Sequence, residues 1–261
     1  MNKLEQLLKD KVGTKPLFMC HLIAGYPTQK ESIAISKALL NAGADILEIQ
    51  IPFSDPMADG SSISVASREA LERGASVKNS LSVVKSVSKG AASIVIMSYL
   101  NPVYRYGIAK FARDATKAGA TALIIPDAPF DTEEGKELVA EAKKNGLCMI
   151  PVISPGVPHE RLRELAQDAR GFVYCTSRQG ITGANGKFVA DLKSYMQEVR
   201  EVFSIPLGLG FGIQTPADAK KASKLADIVI AGSVFVNAIR QSKKGKTASA
   251  VKICAIRLFA R

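Results

Sequence analysis

Two carboxylates eleven residues apart stand in the segment Glu48-Ile-Gln-Ile-Pro-Phe-Ser-Asp55-Pro-Met-Ala-Asp59-Gly60. Two carboxyl groups in unlike surroundings can divide acid–base work, one keeping a proton and the other staying ionised. If residues 46–51 form a strand, alternation places Ile46, Glu48 and Gln50 on one face and Leu47, Ile49 and Ile51 on the other. The second face is wholly apolar and suits packing against helices. The first therefore aims a carboxylate into the interior of a sheet or barrel. Burying that charge is costly unless it has a partner or a chemical role. A paired structural glutamate is the competing reading. The loop that follows, with two prolines, a glycine and two aspartates, suits a functional loop on a rigid scaffold. A second kind of chemistry is suggested by three glycine motifs: Gly180-Ile-Thr-Gly183, Gly210-Phe-Gly212-Ile213 and Ala231-Gly232-Ser233. Each follows a strand-like run. Glycine lets backbone approach a ligand closely, and a helix opening at Gly232-Ser233 would offer free N–H groups to an anion. One such motif alone could be an ordinary turn; together they read as a phosphate cradle.

Strands and helices must hold these groups in place. Apolar, β-branched runs at 17–24, 46–51, 93–98, 122–125, 148–153, 172–176, 207–210 and 228–231 read as strands. Amphipathic stretches at 31–41, 77–89, 108–118, 133–145, 160–169, 188–203, 216–225 and 235–241 lie between or after them, and a basic helix at 247–259 follows. Helix passes into strand through a recurring phrase: Asn41-Ala-Gly-Ala-Asp-Ile-Leu47, Lys117-Ala-Gly-Ala-Thr-Ala-Leu123 and Leu225-Ala-Asp-Ile-Val229. In the first two a glycine supplies a left-handed helix stop. Nearly continuous apolar strands suit a parallel sheet covered by helices. Eight strand–helix units predict an α/β fold, a (β/α)8 TIM barrel with an extra N-terminal helix, forming a single domain over 1–261. In a barrel the loops after the strands share one face. Glu48, the loop at 52–64, Tyr99-Leu-Asn101-Pro102, Asp127-Ala-Pro129 and Ser177-Arg-Gln-Gly-Ile-Thr-Gly183 then surround one opening.

Composition narrows the function classes. The chain has 261 residues, 47% hydrophobic and 23% charged, and lacks any apolar run long enough for a membrane span. Its first eleven residues form a short amphipathic helix carrying both acids and bases, unlike a signal or transit peptide, so a cytoplasmic address is expected. Cys20, Cys148, Cys175 and Cys254 have no CxxC spacing and read as free thiols. Two histidines, His21 and His159, are too scattered for a zinc site, and His21 reads as a hydrogen-bonded interior residue. No metal site is expected. The formal charge of +11 raises nucleic-acid binding, but the lysines are dispersed and no recognition motif accompanies them. A basic surface that attracts a phosphorylated metabolite or an acidic partner accounts for the charge.

The ordered set Gly25-Tyr-Pro27, Ala44-Asp-Ile-Leu-Glu48, Ile51-Pro-Phe-Ser-Asp-Pro-Met-Ala-Asp-Gly60, Tyr99-Leu-Asn-Pro102, Pro126-Asp-Ala-Pro129, Ser177-Arg-Gln-Gly-Ile-Thr-Gly183, Gly210-Phe-Gly-Ile213 and Gly232-Ser233 resembles the tryptophan synthase alpha subunit family over nearly the whole chain. The string from Pro52 to Gly60 is the most specific part. The resemblance implies a lyase of tryptophan biosynthesis that cleaves indole-3-glycerol phosphate to indole and D-glyceraldehyde 3-phosphate. It implies no cofactor on this chain, and a beta subunit carrying pyridoxal phosphate as partner in an alpha2beta2 assembly. By position, Glu48 matches the acid/base that handles the proton at indole C3, and Asp59 the carboxylate that engages the indole N–H. Tyr174 matches a supporting tyrosine. Gly183, Gly212, Gly232 and Ser233 match phosphate-binding positions, and a mobile substrate loop is implied around Thr182. Tyr99 and Phe211 are expected at the substrate pocket, although Tyr99 could equally belong to a turn with Asn101 and Pro102. The chemistry agrees with the residues. Indole leaves as an electron-rich carbon once its C3 is protonated, and burial favours a carboxyl that can hold that proton. Asp59, on a wetter loop, is expected to stay ionised.

Three positions depart from the family pattern. Gln50 stands where glycine is usual and shares the inward face with Glu48. It could narrow the pocket or hydrogen-bond the Glu48 carboxyl. Ser61 replaces a frequent proline, and Tyr26 replaces a common aspartate. Gln50 also supports a competing reading, a catalytically weak binding module that activates a beta subunit.

Overall fold

The computed structural model describes residues 1–90, 92–177, 191–210 and 212–259. The apolar runs form parallel strands β1 (Leu17–Ile23), β2 (Ile46–Gln50), β3 (Ser93–Met97), β4 (Ala122–Ile124), β5 (Cys148–Met149), β6 (Val152–Ile153), β7 (Val173–Thr176), β8 (Leu207–Gly210) and β9 (Ile228–Ala231). Their order in the sheet is β5-β4-β3-β2-β1-β9-β8-β7-β6. The two end strands are halves of the one run expected at 148–153. Pro151 has no N–H to give to a ladder, so the run bends there. On one side of the bend Ile150 N–H donates to the Leu123 carbonyl at 2.9 Å; on the other the Pro151 carbonyl accepts from Tyr174 N–H at 2.9 Å. One stave thus joins both edges, and the sheet closes as a (β/α)8 barrel.

Strand alternation separates two cores. Leu47, Ile49 and Ile51 point outward into the layer between sheet and helices. Leu17, Met19, Ile46, Val95, Met97, Phe172, Ile228 and Ile230 fill the barrel, joined at its base by Leu4 and Leu8 of α1 (Lys3–Lys11). This is the expected N-terminal helix. Asn2 and Glu5 form a capping box at its start, and the Asn2 amide also donates to the Thr121 and Gly146 carbonyls at 2.8 and 3.0 Å. Lys11 Nζ lies 2.8 Å from Asp45, whose other oxygen accepts Phe18 N–H at 3.1 Å. The helix is therefore fastened at both ends.

The further helices are α2 (Gln29–Asn41), α3 (Ser61–Glu72), α4 (Val77–Val87), α5 (Leu100–Tyr106), α6 (Ile108–Ala118), α7 (Glu133–Lys144), α8 (His159–Asp168), α9 (Leu192–Val202), α10 (Pro216–Ala222), α11 (Ser233–Gln241) and α12 (Thr247–Leu258). Two of them, α3 and α5, are absent from the sequence reading. α3 (Ser61–Glu72) begins after Gly60 with no side-chain cap, so the usual start signal is missing from its sequence. α5 (Leu100–Tyr106) contains Pro102 in its first turn, where the absent N–H is no loss. The Leu100 N–H is taken by Asp127 Oδ1 at 2.8 Å. Asp127 thus has a structural task, and Asn101 is helical rather than a turn residue. Among the described residues no helix is long and apolar enough to cross a membrane.

Candidate active site

At the C-terminal ends of the strands the barrel opens into a cavity of about 260 Å³. Small ligands usually occupy concave sites of about 300–1,000 Å³, so this one suits a compact substrate. Its walls bring together Glu48, Asp59, Tyr174, Gly212, Gly232 and Ser233 as the sequence suggested, and add His21.

Glu48 faces inward from β2 and is only 3% exposed. Parallel pairing of β1 with β2 sets His21 directly beside it. Nδ1 of His21 is 3.2 Å from Oε2 of Glu48, off the line of a well-aligned N–H···O bond. Burial, the largest single influence, favours the neutral imidazole. The adjoining Glu48 charge and contact, followed by Asp59 and the Gln50 amide, outweigh it and hold the His21 pKa above its ordinary value.

Asp59 reaches the cavity from the loop after β2. Gln50 Nε2 donates to its Oδ2 at 2.6 Å. Gln50 therefore braces Asp59 instead of bonding to Glu48 or lining the cavity. Tyr99 is fully buried behind the loop, where its hydroxyl accepts Ala58 N–H at 3.0 Å and interacts with Asp59. It supports the loop from below and is not among the lining residues. Ser67 of α3 pins the other end of the loop, accepting from Phe53 N–H at 2.9 Å and donating to its carbonyl at 3.1 Å. The expectation of a wet Asp59 needs correction. The side chain is partly buried, and burial pushes its carboxyl above the usual range, against the opposing pull of His21 and Gln50.

Tyr174 enters from β7. Burial first, then the charges of Glu48 and Asp59, hold its hydroxyl well above the ordinary phenol value, so it remains a neutral donor. Its ring lies over β8, where a Cβ on Gly210 would come within 2.7 Å of Tyr174 Oη. Across the opening is the anticipated phosphate corner. Gly212 has φ +59°, a left-handed conformation that favours glycine. Gly232 precedes α11 (Ser233–Gln241), whose start has no side-chain cap, leaving its amides and dipole directed at the opening. Ser233 Oγ accepts from Gln214 Nε2 at 2.7 Å. Among the described lining residues there is no Lys or Arg, so backbone N–H groups carry the anion-binding character there. Thr182, Gly183 and Phe211 lie outside the described residues, as do Arg178 and the expected loop around Thr182.

Sequence reasoning placed His21 in the interior but not in this site. Its period-two spacing from Leu17 and Met19 was the available signal.

The chain matches the family model described as tryptophan synthase alpha chain over residues 7–258. It is 39% identical over 242 residues to the tryptophan synthase alpha chain of Caldanaerobacter subterraneus subsp. tengcongensis, covering 92% of this chain and 91% of the relative. The Roseiflexus sp. alpha chain is 39% identical over 238 residues, covering 90% of each. Among solved structures, the tryptophan synthase alpha subunit of Legionella pneumophila superposes with a TM-score of 0.89 at 30% identity, covering 99% of this chain and 97% of that one. A chain of M. tuberculosis tryptophan synthase in its open form gives 0.87 at 31% identity, covering 98% and 96%. Both the sequence match and the barrel extend over nearly all of the molecule, and the chain belongs to the tryptophan synthase alpha chain family.

Proposed function

We propose that Glu48 and Asp59 share the acid–base work of the family's reaction, the retro-aldol cleavage of indole-3-glycerol phosphate to indole and D-glyceraldehyde 3-phosphate. The observation that carries this reading is the convergence of the two carboxylates on one cavity whose far side is a glycine-lined helix N-terminus. The phosphate binds at Gly212, Gly232 and Ser233, which directs the indole toward Glu48 and Asp59. Glu48 delivers a proton to indole C3 while ionised Asp59 accepts the ring N–H and offsets the positive charge growing there. Glu48, now a carboxylate, takes the proton from the hydroxyl beside the breaking bond. That oxygen becomes the aldehyde carbonyl as the C–C bond breaks, and the bond's electron pair returns to the ring as indole. Burial is the largest influence on the Asp59 carboxyl and raises its pKa, while His21, the Gln50 amide and the Tyr99 hydroxyl pull it back toward the ionised form. Tyr174 packs beside the two carboxylates and supports the indole. The chain works with a beta subunit, in an alpha2beta2 assembly and in the cytoplasm.

The test is indole release from indole-3-glycerol phosphate by the purified chain, with and without a tryptophan synthase beta subunit. Glu48→Gln should lower kcat by about 10²–10⁴-fold, the usual share of positioned acid–base catalysis. Full activity in that variant would remove Glu48 from the mechanism.

A further inference from the structure

His21 sits between the two halves of the cavity. Its Nδ1 is 3.2 Å from Glu48 Oε2, and its ring leans on Gly232, where a Cβ would lie 3.1 Å from His21 Cβ and 3.2 Å from Cδ2. Both His21 and Glu48 are nearly sealed from solvent, at 6% and 3% exposure. Nε2 of His21, Oε2 of Glu48 and Oε1 of Gln50 are buried with no hydrogen-bond partner among the described residues. An apolar ring would fill this space without an orphaned nitrogen, so the imidazole is costly as mere packing. Gln50, two residues beyond Glu48 on the same strand face, meanwhile tethers Asp59 at 2.6 Å.

We propose that His21 is a positioning residue for the reaction: its ring fixes the Glu48 carboxyl toward the cavity, as the Gln50 amide fixes Asp59. Each working carboxylate then has its own tether on the inner barrel wall. Gly232 keeps the imidazole from turning away, so the phosphate corner and the acid/base are in mechanical contact through one ring. The titratable groups facing His21 are Glu48 on β2 and Asp59 on the loop; Tyr174 on β7 faces the same two carboxylates. This inference rests on the assignment of Glu48 as the acid/base.

The experiment compares H21F, E48Q and the double variant in complex with a beta subunit. Loss of carboxylate orientation should lower kcat in H21F about 10–100-fold, as small misplacements of a reacting group do. KM should stay within about twofold, because a tether to the acid/base adds orientation and not ground-state binding. The acid limb of its pH profile should move. In the E48Q background the same substitution should cost nothing further, because its effect passes through Glu48. With only two histidines in the chain, proton NMR follows His21 directly, and its titration midpoint should fall in E48Q. Wild-type kcat and pH profile in a folded H21F, or an equal loss in both backgrounds, would overturn the proposal. So would a His21 titration indifferent to E48Q, a measurement that decides alone if H21F does not fold. Full activity in E48Q would instead remove the Glu48 assignment, a separate result.

Discussion

Asp59 sets chemistry against stability at the level of a single residue. Burial raises the Asp59 carboxyl above its ordinary 3.8. Between that value and its folded pKa, the folded chain binds more protons than the unfolded chain, so stability falls as pH rises through the window and stays lowered above it. Asparagine carries no such penalty. Asp59→Asn should therefore melt at a higher temperature than the wild type at neutral pH, with the gap closing toward acid, while indole release falls. Thermal scans across pH measure the first effect and the indole assay the second. A lower melting temperature at neutral pH would mean that the Gln50–Asp59 bond outweighs the cost of burying the carboxylate. His21 has the same sign. Its pKa is raised, so its contribution is present below the unfolded value and is lost as pH rises through the folded one. Functional groups held at a cost like that of Asp59 are a common source of the trade-off between stability and activity.

At the scale of elements, β7 and β8 form one device. Gly208 and Gly210 fall on the inward face of β8, and the missing side chain at Gly210 is the space that Tyr174 occupies. Gly210→Ala should push the Tyr174 ring toward the cavity and reduce indole release by about tenfold, the scale on which misplaced site groups act. The fold should survive, since the obstructed atom is the far end of a side chain. Steady-state kinetics beside a thermal melt separate the two outcomes, and unchanged kinetics would show that Tyr174 yields without consequence. The loop after β2 is another such device. Its groups are held by Ser67 of α3 and Tyr99 just before α5, and α5 is itself secured by Asp127. The two helices absent from the sequence reading are thus the ones that brace Asp59.

Across the whole molecule, stability and chemistry occupy opposite ends of the barrel. The base is an apolar plug in which Leu4 of α1 is fully buried among inward-facing strand residues. Leu4→Ala should cost about 2–5 kcal/mol, the usual range for deleting a buried leucine side chain. Urea denaturation reads this directly. KM for indole-3-glycerol phosphate should be nearly unchanged, and a large KM effect would show that the base is coupled to the opening. The formal charge of +11 acts at the same scale. It gives the molecule a long-range attraction for a phosphorylated substrate, even though the described cavity wall has no Lys or Arg.

Periodicity alone was enough for the barrel, because inward and outward positions of a strand differ in burial and the chain must repeat that contrast in each stave. It was also enough to turn Glu48 inward with Leu47, Ile49 and Ile51 outward. The glycine motifs were legible for a local reason, because backbone conformation and close approach restrict residue type; the PFSDPMADG string was legible through its resemblance to the family. Register and distant contacts were beyond reach. Only pairing between β1 and β2 sets His21 beside Glu48, and only loop closure turns Gln50 to Asp59. The starts of α3 and α5 depend on a bare glycine and on an aspartate twenty-seven residues away. Neither is a local signal. Tertiary structure decided which polar groups share the interior, because a buried charge takes its partner from whichever neighbouring strand or loop the fold places beside it.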